Sequence, residues 1–405
     1  MPRSAVVFSM HGRGHLQRLR PLITGLVAAG MPAHVFTHED FRDSVERAGG
    51  RFVDLFAGRP LESLDATSMP IPSRGVTFAA HCADAVAQEA AACDPAIVIH
   101  DTFAVVGQAV ANRLGLPRIN VCAGHNAAPQ PTIAALRRDP RVAISAACHD
   151  AVHTLRERYG IHDASPFSYL SSQSDALNVY CEPEEFLRAQ DRAPFEPIAF
   201  FGSLPIDGDA DAGARLTPFG AAAAARQRIY VSFGTIIWHY YTAEALRALA
   251  VIADALASRD DVEALISLGG AERSAHAAAL TRHNVQVEGY VDQWQVLRDA
   301  TLFITHHGLN STHEAVFQRT PMLSYPFFAD QPEMALRCRE LGLAVPLTTT
   351  PRHPLTAEDV HAALAAAQAQ HAALSTRLAE AREWELATMH RRPAVIERII
   401  ALSRR

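Results

Sequence analysis

The chain has 405 residues, 49% of them hydrophobic and 20% charged, with a formal net charge of −6. That length predicts two or three domains with substantial cores, and the negative balance argues against nucleic acid or an anionic membrane as partner. The six cysteines (Cys82, Cys93, Cys122, Cys148, Cys181 and Cys338) include no CxxC pair. Reduced, mostly buried thiols in a cytoplasmic protein fit that usage.

The first residues, MPRSAVVFSMHGRGH, carry too short an apolar stretch for a signal peptide and read as a first strand. Strands are predicted at Ala5–Phe8, Ala33–Phe36, Ala96–Ile99, Arg118–Val121, Ala176–Tyr180 and Ile198–Phe201. Helices fall between them at His15–Ala29, Phe41–Ala48, Thr77–Ala92 and Phe103–Leu114. The longest apolar region, 96–119, is broken by His100, Asp101 and Pro117, which makes it strand–helix–strand and not a membrane span. Residues 202–225 are dense in Gly, Pro and Asp and lose periodicity, so an interdomain linker is set at 206–226.

A second alternating set follows. Its strands are Arg228–Phe233, Val262–Ile266, Val285–Val287, Leu302–Thr305 and Met322–Tyr325. Its helices are Thr242–Ser258, Glu272–Arg282, Gln293–Asp299, Asn310–Gln318 and Gln331–Leu341. The tail, Thr356–Ser403, is Ala-rich and helical with a break near Pro393. Apolar strands separated by helices imply parallel sheets covered on both faces. The expected α/β domains are 1–205 and 227–385, with a closing helix at 386–405. Ligands in such folds bind beyond the carboxyl ends of strands.

The candidate residues lie where strands end. FITHHGLNSTHEA reads as a strand, a polar turn and a helix N-terminus, an arrangement whose N–H groups and dipole favour phosphate. His306, Gly308, Asn310 and Ser311 form that turn, and Gly234 and Thr235 end another strand that can approach phosphate. Capping of the helix by Asn310 or Ser311 is the plainer reading of the same residues. Glu314 lies one turn on and suits ribose hydroxyls. Tyr290 and Gln293 follow a strand, where an aromatic face stacks on a base or packs an interface. Asp330 and Gln331 suit sugar hydroxyls.

In the first half, His15 opens a helix after the first strand. A helix N-terminus disfavours imidazolium, which leaves His15 able to accept a proton. Asp101 either caps the helix from Phe103 or, because its strand commonly neighbours the first, pairs with His15 and stabilises the imidazolium. The glycines of HGRGH are no dinucleotide fingerprint, since Gln17 takes the third position. No HExxH, GxSxG, Walker A or Cys/His metal spacing occurs, and the adjacent His306–His307 pair is not a helical metal motif.

Together these residues resemble the family 1 glycosyltransferases, the macrolide, antibiotic and plant natural-product enzymes. The resemblance runs from His15 to Gln331 and is most specific in THHGLNSTHEA…P…DQ. It implies a GT-B fold: two Rossmann-like doubly wound domains facing across a cleft, with the C-terminal helix crossing back to the first. It also implies an inverting transfer of a hexose from a UDP- or TDP-sugar to a hydroxyl of a small acceptor, with no metal and no cofactor besides that co-substrate. His15 would be the base and Asp101 its partner. His306, Thr235, Gly234, Gly308, Asn310 and Ser311 would hold the diphosphate, Glu314 the ribose, Tyr290 and Gln293 the base, and Asp330 and Gln331 a glucose-like sugar. The chain departs from the family at His307 (usually Gly), Arg18 (usually Pro), Tyr290 (Trp in plant members) and Asp292 (usually Pro), which leaves uracil or thymine open. First-domain loops 57–74 and 123–141, with His125 and Asn126, are the expected acceptor contacts. The expected state is a monomer or homodimer. A nucleotide-sugar epimerase of GT-B architecture and an inactive nucleotide-sugar-binding auxiliary subunit are the alternative readings.

Overall fold

The computed structural model describes residues 3–122, 124, 129–204, 219 and 227–404. His125, Asn126 and nearly all of the expected 206–226 linker lie outside the described residues. The chain divides into two compact units: Met1–Pro205 with Ala387–Arg405, and Ile206–Leu386. Among the described residues no helix is long and apolar enough to cross a membrane.

The first unit holds a seven-stranded sheet of β1 (Ser4–Phe8), β2 (Ala33–Thr37), β3 (Arg51–Asp54), β4 (Pro95–Asp101), β5 (Arg118–Cys122), β6 (Leu177–Tyr180) and β7 (Ile198–Phe200). Their order is β3-β2-β1-β4-β5-β6-β7, and the pairings are parallel. The strand order reverses between β1 and β4, where Phe8 stands beside His100. Side chains of β1 alternate between two cores. Ala5 and Val7 pack with Leu19, Leu22 and Ile399 on one face, and Val6 and Phe8 with Phe78 and Val105 on the other. A strand buried on both faces needs apolar residues throughout, and AVVF supplies them.

The second unit repeats the plan with β8 (Gln227–Ser232), β9 (Val262–Ser267), β10 (Val285–Glu288), β11 (Leu302–Thr305), β12 (Met322–Ser324) and β13 (Ala344–Pro346). The order β10-β9-β8-β11-β12-β13 is that of a doubly wound dinucleotide-type sheet, with its reversal between β8 and β11.

Several boundaries differ from the expectations. The edge strands β3 and β13 were not expected. β3 (RFVD) is polar and partly exposed, and β13 has three residues, so neither carries the apolar run that marks a central strand. Helix Pro129–Arg138 lies within the expected loop 123–141, and helix Ala146–Tyr159 occupies a stretch for which no element was expected. The helix expected at Glu272–Arg282 is a tight 3-10 turn, Ala271–His276, and one helical turn, Ala277–Leu280. The tail is not broken at Pro393. It breaks at Gln370, between helices Ala357–Ala369 and His371–Leu402, and Pro393 stands inside the second. Tertiary contacts outweigh the missing proline N–H there: Arg392 donates to the carbonyls of Phe201 (2.8 Å) and Leu204 (2.7 Å), and Ile396 and Ile399 join the core.

Gly107, on helix Val105–Leu114, lies against the reversal point. A Cβ there would meet His100 Cβ at 2.5 Å and Phe8 Cδ2 at 3.1 Å. Strand backbone carries both neighbours, so overpacking exceeds the gain in helix propensity. Gly107→Ala should destabilise the first unit by about 1–3 kcal/mol, read as a lowered thermal midpoint; an unchanged or raised midpoint would contradict this packing.

Candidate active site

Both sheets present polar residues at their reversal points, where the strand ends splay and leave room for a ligand. In the first unit these are His15 and Asp101. Asp101 is the last residue of β4 and is buried. Its Oδ2 accepts the Met10 N–H (3.0 Å) and its Oδ1 the Phe103 N–H (2.7 Å). The second bond forms a local turn, which is why the following helix starts at Val105 and not at Phe103. His15 stands in the first turn of helix Arg13–Ala28, and its Nδ1 is 3.3 Å from Asp101 Oδ1, at ion-pair distance but off the line of a regular hydrogen bond. Phe103 packs against the imidazole, ring centroids 4.4 Å apart. Burial raises the Asp101 carboxyl, but the charge and hydrogen bonding of His15 and the two backbone N–H groups outweigh it and hold the group below its usual range.

Below Asp101 lies a buried layer that the sequence did not announce. His100 Nδ1 faces the Asp101 carbonyl (2.9 Å), and its Nε2 lies 3.1 Å from Arg118. Burial pushes His100 down to about 3 and Arg118 adds to the shift, so His100 is a neutral spacer. Arg118 in turn donates to the carbonyls of Ser172 and Gln173, both at 2.7 Å. Arg18 is partly buried and close enough to buried Cys181 for its charge to act on the thiol, which places it beneath the surface.

In the second unit, His306 and Gly308 follow β11, and Gly234 and Thr235 follow β8. The His306 ring lies against both glycines. A Cβ on Gly234 or Gly308 would sit 2.6 or 2.5 Å from its Nε2. Gly234 also has φ +69°, a backbone conformation that favours glycine. The Trp238 indole fixes this glycine by donating to its carbonyl (2.9 Å). Burial pushes His306 down to about 4, opposed by the Ser232 carbonyl although Nδ1 makes no regular hydrogen bond. The ring is therefore neutral and acts as a hydrogen-bonding group rather than a charge.

Gly308 is the N-cap of helix Leu309–Gln318 and no side chain caps it, so the capping reading of Asn310 and Ser311 does not hold. Both residues stand in the first turn instead. His307 turns away from this face: it has φ 61°, is buried, and its nitrogens lie 3.1 Å from Thr312 Oγ1 and 2.7 Å from Ser324 Oγ. Where the resemblance leads to an expectation of glycine, the His307 side chain thus serves the interior.

Gln293 does not stay with Tyr290. Its amide donates to Glu314 Oε2 (2.7 Å) and Ser311 Oγ (3.1 Å), while the Tyr290 ring is half exposed. Glu314 is partly exposed at its edge, yet enough protein surrounds it that its carboxyl is pushed up to about 7, with Asp292 adding and Gln293 and His313 opposing. Gln331 is buried and its Oε1 accepts the N–H groups of Phe327 (2.9 Å) and Phe328 (3.3 Å), so its amide NH2 end is what faces other partners. Asp330 is the N-cap of helix Gln331–Glu340 and makes no side-chain cap.

Two features escaped sequence reasoning. His313 and Glu385 form a fully buried pair, Nδ1 to Oε1 2.5 Å, tying helix Leu309–Gln318 to helix His371–Leu402. Seventy-two residues separate them, so no local spacing reveals the pair. Among the described residues, His11, His38 and Asp40 bring three metal-ligating atoms within 4.8 Å of one another, although the sequence was expected to hold no metal.

Residues 191–371 match the sequence model of a family described as UDP-glucoronosyl and UDP-glucosyl transferase. The chain is 25% identical over 359 residues to the oleandomycin glycosyltransferase of Streptomyces antibioticus, covering 86% of this chain and 80% of that one. It is 26% identical over 195 residues to the uncharacterized UDP-glucosyltransferase YdhE of Bacillus subtilis (strain 168), and spans 46% of that protein's length. It spans 44% of a rice (Oryza sativa subsp. japonica) UDP-glycosyltransferase named CGT, at 30% identity. The chain thus covers less than half the length of these last two relatives. Among solved structures, the glycotransferase of kitacinnamycin superposes with a TM-score of 0.76 at 21% identity, over 98% of this chain and 99% of the other. The spinosyn rhamnosyltransferase SpnG, solved with thymidine diphosphate, gives 0.67 at 19% identity, over 98% and 100%. These structures are GT-B glycosyltransferases, and the two parallel-sheet units described above have their fold.

Glu314 provides a test of this site without substrates. Its carboxyl titrates near 7 in the folded chain against an ordinary 4.5, so between those values the folded state keeps a proton that the unfolded state releases. Stability from this group is complete below the ordinary value and is lost as pH rises through about 7. Glu314→Gln should flatten the fall of the thermal midpoint across that window; parallel curves for the two proteins would refute the environment assigned to Glu314.

Proposed function

We propose that the chain is a family 1 glycosyltransferase, as the match of residues 191–371 and the likeness to the oleandomycin glycosyltransferase support, and that it moves a hexose from a UDP- or TDP-sugar to a hydroxyl of a small natural-product-like acceptor, with inversion at the anomeric carbon. One observation carries the mechanism: His15 Nδ1 stands 3.3 Å from a buried carboxylate at the reversal point of its sheet. Asp101 on the Nδ1 side leaves Nε2 as the nitrogen that takes a proton.

In the proposed reaction, His15 Nε2 removes the acceptor hydroxyl proton as the acceptor oxygen bonds to the anomeric carbon. The bond from that carbon to the diphosphate oxygen breaks, and its electron pair leaves with the nucleoside diphosphate. Asp101, held ionised by its backbone donors, balances the imidazolium that forms. The leaving group's negative charge meets the N–H groups at the start of helix Leu309–Gln318, with neutral His306 and the Thr235, Asn310 and Ser311 side chains as further donors. Supporting the ribose role, Glu314 and Ser311 share one face with Gln293 between them; a ribose diol would take over the bonds Gln293 now makes. Tyr290 stacks on the base, and Asp330 with the amide NH2 of Gln331 binds sugar hydroxyls. No step uses a metal or a cofactor.

His15→Ala should lower kcat by about 100- to 10,000-fold, and Asp101→Asn should lower it substantially with donor affinity kept. Retained kcat in His15→Ala with an ordinary hydroxyl acceptor removes His15 as the base. UDP or TDP should raise the thermal midpoint of the free protein, and the Gly308→Ala substitution should abolish that rise; a chain indifferent to both nucleotides would overturn the donor assignment.

A further inference from the structure

The residue before Asp101 has its protonation fixed by its neighbours. His100 is fully buried at the penultimate position of β4. Its Nδ1 lies 2.9 Å from the Asp101 carbonyl, which can only accept, and its Nε2 lies 3.1 Å from an Arg118 Nη1, which can only donate. The ring is therefore neutral, with its proton on Nδ1. Burial and the Arg118 charge hold His100 at about 3, so this pattern persists throughout the neutral pH range.

These bonds converge on the backbone that carries Asp101. The Asp101 carbonyl accepts from His100 and from the Ala104 N–H (2.9 Å). On the other side of Asp101, the Thr102 carbonyl accepts from the Ser172 hydroxyl (3.0 Å), and the Thr102 N–H binds the Val121 carbonyl (3.0 Å). Ser172 in turn gives its own carbonyl to the same Arg118 nitrogen that serves His100 (2.7 Å). Arg118 thus braces the residues on both sides of Asp101. Space for the imidazole is kept open as well, since a Cβ on Gly107 would stand 2.5 Å from His100 Cβ. An apolar side chain in this core position would need none of these partners. A buried polar chain whose members are all paired is rigid, and this one is built under a carboxylate that must hold its aim.

We propose that His100, held by Arg118, is a positioning residue for the transfer reaction: its Nδ1–H sets the turn at Asp101 so that the carboxylate meets His15 Nδ1. The inference rests on the reading of His15 and Asp101 given under the proposed function. His100 acts through Asp101 alone. The His15 to Asp101 separation is already 3.3 Å. A shift of about 1 Å in a loosened turn would take it past the ~4 Å limit of an ion pair.

Two amide substitutions separate the ends of the ring, because Asn places a donor where Nδ1 stands and Gln places an acceptor where Nε2 stands. The full chain is assayed with UDP-glucose or TDP-glucose and a phenol acceptor, 4-methylumbelliferone. His100→Gln should lower kcat by roughly 10- to 100-fold with donor KM kept, and His100→Asn should recover kcat to within about threefold of the unsubstituted chain. A merely structural role would order the two variants by thermal midpoint, not by which hydrogen bond they keep. Equal kcat in the two variants, or a loss in His100→Gln that lies in donor KM, would overturn the proposal. His15→Ala is measured alongside. If it stays inactive while His100→Gln keeps full kcat, positioning by His100 fails and the base assignment stands. If His15→Ala is active, or the unsubstituted chain transfers from neither donor, the proposed function fails and this inference falls with it. Should either His100 variant not fold, Arg118→Met takes its place. It frees the ring to turn and should lower kcat at least about tenfold, and an unchanged kcat there overturns the proposal.

Discussion

His306 lies against two glycines, and the second unit's site follows from that fit. A side chain on Gly234 or Gly308 would collide with the ring. The ring in turn is kept neutral by burial, and the turn that carries it ends in an uncapped helix start. An uncapped N-terminus has N–H groups without internal partners, and a neutral donor beside them adds no charge that would need a counter-ion when the site is empty. The arrangement suits a ligand that brings its own negative charge and then departs with more of it.

The first unit uses the opposite device. There the charge is built in. Asp101 is buried with two backbone donors and a histidine, and the layer beneath it is neutral His100 resting on Arg118. A fixed carboxylate orients an imidazole and makes its protonated form less costly. One sheet therefore presents a built-in anion at its reversal point and the other presents donors for one. The common topology of the two sheets explains why both sets fall at corresponding strand ends.

Much of this was legible before any coordinates. Central strands such as β1 (SAVVF) and β11 (LFIT) are apolar at all but one terminal position, which marks them as buried on both faces. His15 and Asp101 follow or end the adjacent strands β1 and β4 of the first sheet, whose topology brings those two together, and His306 directly follows β11 in the second. The misses have physical causes. β3 is polar because it lies at an edge, and β13 is too short to show a pattern. Pro393 signalled a break, but Arg392 and the isoleucines after it hold the helix through it. Gln293 was grouped with Tyr290 because they are close in sequence, whereas folding sends its amide to Glu314. His313 with Glu385, and His11 with His38, are pairs whose members come from different elements. Only the topology joins them, and spacing along the chain holds no trace of it.

Helix His371–Leu402 has one buried anchor, Glu385, in the second unit and another, Arg392, in the first, with no loop between them. Modular exchange among related enzymes is therefore constrained. A recombinant that joins one parent's residues 1–205 to another parent's remainder inherits a mismatched tail, because the last nineteen residues belong to the first unit's core. Crossovers that preserve both hydrophobic interiors must come in pairs, one in the connecting segment and one within this helix between its two anchors, so that the terminal turns travel with the module they complete.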